Sequence, residues 1–143
     1  YVAGNGPMME EMPRYVREHH MENVKFLGYL QKDEMSEKFY QAKAVIMTSQ
    51  CYEAFAMTIA EAYSYGVPVI AGRVGNMDGM VQDGITGVKF TYNSAEDLAD
   101  KISAFDAMDL SVLKKNARAF YAERLRPEDN YQKLIRIYED ISK

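Results

Sequence analysis

Residues 44–72 read AVIMTSQCYEAFAMTIAEAYSYGVPVIAG, and the way this stretch folds decides the class of the protein. Residues 44–47 are a continuous apolar run, the pattern of a strand covered on both faces. Residues 58–65 have helical character, Gly66 stands where a helix stops, and Val67-Pro68-Val69-Ile70-Ala71 is a second buried strand. Between strand and helix lie Glu53 and, eight residues on, Glu61. On one continuous helix they would point about 80° apart, a poor arrangement for a shared partner. The spacing makes sense with Glu53 in the loop before the helix and Glu61 within it, both looking toward the helix N-terminus.

Working outward, residues 1–3 are a short apolar run ending in Gly4-Asn5-Gly6-Pro7, and residues 8–20 follow with helical spacing of Met9, Met12 and Val16. Residues 24–27 form the next strand, closed by Gly28. Asp33 suits the N-cap of a helix over 34–42. Downstream, residues 72–87 hold five of the nine glycines and read as loop, residues 88–90 as a last strand. Asn93 or Ser94 caps a helix to about Phe105, followed by helices over 110–124 and from Pro127 to Ser142. Strands alternating with helices, the strands buried rather than half-buried, imply a parallel α/β sheet with helices on both faces. In such sheets ligands bind at the carboxyl ends of the strands, where Gly4-Asn5-Gly6, Gly28-Tyr29, residues 48–55 and Gly72–Gly75 fall.

The 143 residues suit one ordinary domain, and no apolar run approaches the roughly 20 residues of a membrane span. A net charge of −4 argues against a nucleic-acid binder, which carries a basic patch or stripe. Cys51 is the only cysteine, so no internal disulfide forms, and a reducing, cytoplasmic setting is expected. The chain opens on Tyr-Val-Ala-Gly as if within a strand, which reads as a fragment of something longer. His19-His20 at a helix end, Cys51 as a small apolar filler, and the ten methionines are expected to be structural. Asp106 and Asp109 do not form a metal-binding carboxylate pair, and no metal or cofactor is expected.

A helix starting near residues 55–58 offers unpaired backbone N–H groups and a partial positive charge, together an anion site suited to phosphate. Small Ala54 and Ala56 let a ligand approach that backbone. A carboxylate accepts both hydrogen bonds of a vicinal diol, so Glu61 facing the same cavity can hold a sugar, and Glu53 a second one. Two polyols joined by a diphosphate describe a nucleotide sugar. Taken alone, the pair reads more simply as a solvated loop and an exposed helical face, with Phe55, Met57 and Ile59 as core.

The segments GNGP, NVKFLGYL and AVIMTSQCYEAFAMTIAEAYSYGVPVIAGRVGNMDGMVQDGITGVKF, in that order, strongly resemble the C-terminal domain of the retaining glycosyltransferases of family 4. The resemblance runs from Tyr1 to about Arg124. It implies the Rossmann-like, three-layer C-terminal half of a GT-B fold: a single donor-binding domain over residues 1–143, lacking its first strand and turn and the N-terminal acceptor domain. Glu53 and Glu61 match the family's paired glutamates. The resemblance assigns Glu61 to the ribose hydroxyls and Glu53 to the donor sugar near its transferred carbon. Phe55, Ala56 and Met57, with Thr58 beside them, would offer the helix N-terminus to sugar and diphosphate. Tyr29 and Leu30 match the segment flanking the base, and Gly4 and Gly6 the first turn under the donor.

Glu-Ala-Phe-Ala replaces the usual Glu-Gly-Phe-Gly, and Gly75-Asn76-Met77-Asp78-Gly79 lacks the usual Pro and Glu. The family's phosphate-neutralising Arg and Lys would precede Tyr1, and Arg73, the only nearby cation candidate, reads better as a surface charge. The implied partners are a nucleotide-sugar donor and, through the missing half, an acceptor glycan, lipid carrier or small molecule, which leaves open a peripheral association with the inner face of the membrane. The rival readings are a catalytically silent GT-B-like partner and a non-catalytic α/β module. A receiver module would need an acidic pair, a phosphoacceptor Asp and a Lys at strand ends where this chain has Asn5-Gly6, Thr48-Ser49 and glycines. A nucleotide-sugar 2-epimerase is disfavoured, because its characteristic histidines and carboxylates have no match.

Overall fold

The computed structural model describes residues 1–142 and divides into two compact units, residues 1–38 and residues 39–143.

In the first unit β1 (Val2–Ala3) pairs in parallel with β2 (Phe26–Gly28), Val2 facing Phe26. The Gly4 N–H donates to the Gly28 carbonyl at 2.7 Å, tying the two strand ends together. Helix α1 (Glu11–Glu18) is shorter than the expected 8–20. Pro13 is the reason: it brings no N–H for the Met9 carbonyl, so only a proline in the first helical turn is tolerated and residues 7–10 wind as turns. Helix α2 (Lys32–Gln41) also begins earlier than expected, and Asp33 is not its cap. The Gln31 N–H instead donates to Glu34 Oε2 at 2.8 Å, the return half of a capping box.

The second unit holds a parallel sheet in the order β3-β4-β5, made of β3 (Val45–Met47), β4 (Val69–Gly72) and β5 (Gly87–Phe90). Val45 faces Val69, and Val69 faces Gly87, so each strand starts level with the next. The central strand β4 is buried throughout, as its apolar run requires. Strand β3 departs from expectation: Ile46 is 48% exposed, because β3 is an edge strand of this sheet. Around the sheet lie α3 (Met57–Ser64), α4 (Gly75–Met80), α5 (Ala95–Asp106), α6 (Leu110–Arg124) and α7 (Pro127–Ile141). Ser94, not Asn93, caps α5 by accepting from the Asp97 N–H, while Asn93 takes the left-handed turn before it with φ 59°. Asp109 caps α6 through the N–H groups of Ser111 and Val112, so it holds a helix rather than a metal. One part of the glycine-rich segment folds differently from expectation. Residues 75–80 wind into α4, held by the burial of Met77 and Met80 one turn apart, and only the remainder is loop.

One side of the core joins Ile70, Val88, Phe90, Phe105 and Leu113. The other carries Tyr63, whose ring packs edge-on to Phe120 and whose hydroxyl meets Thr86 Oγ1 at 2.7 Å and the Met80 carbonyl at 3.3 Å. Burial pushes the Tyr63 phenol up to about 12, partly offset by the Thr86 hydrogen bond. Tyr63→Phe keeps the ring and leaves the buried Thr86 hydroxyl short of a partner, so we expect a loss of about 1–2 kcal/mol, read as a lower midpoint in urea at unchanged slope. Met77 and Met80 are buried and Met108 packs against the core, whereas Met8, Met12, Met21 and Met57 are exposed, so the expectation that the methionines are packing holds only for part of them. No helix among the described residues is long and apolar enough to cross a membrane.

Candidate functional site

The loop from β3 to α3 carries the first glutamate, and the helix carries the second. Glu53 lies in irregular backbone four residues before Met57, and Glu61 sits exposed in the second turn of α3. The fold thus puts Glu53 in the loop and Glu61 in the helix, as their spacing suggested. At the start of α3, Ala56 offers no capping side chain and the first turn holds no acid, so neither offsets the positive end of the dipole. The Met57 N–H turns back to the Phe55 carbonyl at 3.1 Å, which removes it from the expected set of donors. Among the described residues the N–H groups of Phe55, Ala56 and Thr58 have no protein acceptor.

Exposure separates the two readings of this stretch. Ile59 is buried, but Phe55 is 48% and Met57 61% exposed, so the segment is not simply core. Ala56 is fully buried, and its methyl packs inward. Gly4, Gly6, Tyr29 and Leu30 are gathered within the first unit, at the ends of β1 and β2. Gly4 has φ +124°, a conformation that a side chain would strain, and there is open space where Cβ atoms would stand on Gly4 and Gly6. Tyr29 is 67% exposed and Leu30 half-buried.

The loop around Glu53 is tied from several sides. The Ser49 hydroxyl donates to Glu53 Oε1 at 2.9 Å. Asn76 Nδ2, at the start of α4, donates to the Ala54 carbonyl. Gln50 Nε2 donates to Asn93 Oδ1 at 3.0 Å, and the Tyr92 hydroxyl to the Gln50 carbonyl at 3.4 Å. Beside Ser49 opens a concavity of about 260 Å³, floored by Phe90 and Leu98. Ser49 and Asn76 were not among the residues picked from sequence; the signals were a hydroxyl four residues before Glu53, and an asparagine inside the departing glycine segment.

Arg73 behaves as the surface charge its position suggested. Its guanidinium pairs with Asp83 at 3.1 Å and lies 3.8 Å from Asp78, so it is committed to the β4–α4 side of the fold. Asp97 is held below the usual carboxylate range by hydrogen bonds from Thr91, a feature of the β5–α5 turn. His19 stacks on Tyr15 and bonds its carbonyl at 2.9 Å, in keeping with a structural role. Cys51 is exposed and is not the apolar filler expected, because the loop carries it outward beside Tyr52. No group of three or more potential metal ligands occurs among the described residues.

This alternation of parallel strands and helices is the fold of GT-B glycosyltransferases. The Anabaena HepE protein, solved in complex with UDP, matches with a TM-score of 0.86 at 24% identity, over 96% of this chain and 40% of its own. The sucrose-phosphate synthase of Thermosynechococcus elongatus matches with 0.82, also at 24%, over 96% and 37%. At these identities the likeness speaks for the fold alone. The chain belongs to the family of glycosyl transferases group 1, whose model matches residues 1–109. Among curated relatives, the sulfoquinovosyl transferase of Arabidopsis thaliana is 31% identical over 80% of this chain and 23% of its own length. An uncharacterized 41.2 kDa protein in the cps region of Klebsiella pneumoniae is 27% identical over 82% and 33%, and a glycogen synthase of Mycobacterium tuberculosis 27% over 92% and 31%. The chain thus spans about a third of the length of the curated relatives it matches.

Proposed function

We propose that the chain is the donor-binding part of a retaining, family 4 glycosyltransferase, moving a hexose-type sugar from a nucleotide diphosphate sugar to an acceptor in glycan, polysaccharide or glycolipid synthesis. The observation that carries the reading is the open N-terminus of α3, uncapped and free of acids, with Glu53 in the loop before it and Glu61 in its second turn. In this reading Glu61 accepts from the ribose hydroxyls. Glu53 lies against the donor sugar, and the free N–H groups of Phe55 and Thr58 receive sugar and diphosphate oxygens, while Ala56, fully buried, lies beneath them out of a ligand's reach. Gly4 and Gly6 pass under the donor, and Tyr29 and Leu30 flank the base.

As the sugar–phosphate bond breaks, positive charge develops on the sugar and negative charge on the leaving diphosphate. The carboxylate of Glu53 stabilises the first and the α3 dipole part of the second. The acceptor attacks the face that the leaving group departs from, and a phosphate oxygen takes its proton, so retention requires no covalent nucleophile. Neither metal nor cofactor enters. The acceptor in this reading is a glycan, lipid carrier or small molecule, and the protein works in the cytoplasm or at the inner membrane face. HepE was solved with UDP, which makes uridine nucleotides the first donors to try.

The test is ligand-observed NMR of the full-length protein with UDP-, GDP- and ADP-sugars. One nucleotide should show saturation transfer to its ribose and base protons, and Glu61→Ala should weaken its binding about 10- to 100-fold, the equivalent of one or two charged hydrogen bonds. No contact with any of the three, in a protein shown to be folded, would favour the silent partner.

A further inference from the structure

We propose that Ser49 is a positioning residue for Glu53, an assignment that rests on the donor-binding reading above. A glutamate in a loop has three rotatable side-chain bonds and, left alone, samples many rotamers. Here the Ser49 hydroxyl, 2.9 Å from Oε1, holds the carboxylate in one of them and occupies one oxygen as an acceptor. Oε2 remains as the oxygen offered to a ligand. Four residues separate the partners, and a side chain–side chain bond across a loop of this length orders the carboxylate only if the loop itself is still.

The fold supplies that stillness from three strand ends. From the end of β5, Asn93 receives the Gln50 amide at 3.0 Å and Tyr92 reaches the Gln50 carbonyl. Beyond the end of β4, Asn76 donates to the Ala54 carbonyl, and Gly75, at φ +52°, brings its backbone against Tyr52 and Glu53; a Cβ on it would stand 3.3 Å from Tyr52 Cα. From the end of β3 comes Ser49 itself. The loop is therefore pinned on both sides of Glu53, and the Ser49 bond sets the last remaining freedom, the carboxylate's own orientation. A preorganised carboxylate stabilises developing positive charge without a cost of reorientation at the moment of reaction, and small misplacements of such groups lower turnover by orders of magnitude. Because Glu61 and the α3 N–H groups do not depend on Ser49, binding of the nucleotide should not.

The experiment compares wild type, Ser49→Ala and Ser49→Thr in the full-length protein. It reads the carboxyl carbon resonance of 13C-labelled Glu53, the release of nucleoside diphosphate from UDP-glucose, GDP-mannose or ADP-glucose, the affinity for the free diphosphate, and the melting temperature. In Ser49→Ala the Glu53 resonance should shift and the turnover fall about tenfold or more, while diphosphate affinity and melting stay within error; Ser49→Thr, which keeps the hydroxyl, should recover both. An unmoved Glu53 resonance, or full turnover in Ser49→Ala, overturns the assignment. Loss of diphosphate affinity in step with turnover would make Ser49 merely structural and overturns it equally. A wild-type protein that binds none of UDP, GDP and ADP sinks the donor-binding reading instead, and the Glu53 resonance alone then decides whether Ser49 orients the carboxylate.

Discussion

Gly87→Ala is expected to prevent the second unit from folding stably. A methyl on Gly87 would overlap the Val69 carbonyl oxygen and stand under 3 Å from two more backbone atoms of the same residue. Flexible side chains can move aside, but these atoms belong to the central strand, buried throughout and paired on both edges. Relief requires β5 to move away from β4 at the residue pair that opens their ladder. Overpacked cores lose about 1–3 kcal/mol where side chains can adjust. With backbone on both sides the loss should exceed 3 kcal/mol, a large part of the 5–15 kcal/mol that holds a domain together. The result should be insoluble protein or a melting temperature lower by at least about 10 °C. Gly79→Ala is the control: it lies in α4 with open space around its Cβ position and should melt with the parent or slightly above. Equal melting for the two variants would refute the β4–β5 register.

For Glu53→Gln the expected loss is in turnover, about 10²- to 10³-fold, the scale on which removing one preorganised electrostatic group is felt. Glutamine has nearly the same shape and can still accept from Ser49, so the loop should keep its ties and the protein its stability. What it lacks is the negative charge facing the sugar as the bond to diphosphate breaks. Nucleotide binding should stay within a few-fold of wild type, because the proposed donor-binding reading gives ribose and diphosphate to Glu61 and the α3 N–H groups. Steady-state kinetics of the full-length enzyme would show a fall in kcat with little change in the diphosphate inhibition constant. A variant as active as the parent would remove Glu53 from the chemistry and leave it as a loop residue.

Much of this architecture is legible along the chain because its causes are local. Residues 69–71 form a strand for the same reason they are buried: an unbroken apolar run cannot face water on either side. Gly66, at φ +68°, ends α3 where a Cβ would press on the Lys114 carbonyl, and a glycine after a helical run announces such a stop. Ser94 and Asp109 cap the helices that follow them with their own side chains. The placement of Glu53 in a loop and Glu61 in a helix followed from eight residues and a helical repeat.

Other features answer to contacts between distant segments, and no window of sequence holds both partners. Glycines made residues 75–80 read as loop, but burial of Met77 and Met80 under the rest of the unit outweighs the weak helix propensity. Met8, Met12, Met21 and Met57 are left at the surface, whereas Met108 packs against the core, a difference that local spacing does not set. Arg73 is spent on Asp83 and Asp78, and Cys51 is turned outward, by the path of loops whose ends are anchored on different strands. By itself, then, the sequence determined the succession of strands and helices and the placement of Glu53 before α3 and Glu61 within it, because hydrophobic period and capping act within a few residues. Only the tertiary structure decided the strand order β3-β4-β5, the need for glycine at position 87, and the convergence of Asn76 and Asn93 on the Glu53 loop, because each depends on backbone and side chains brought together from distant segments.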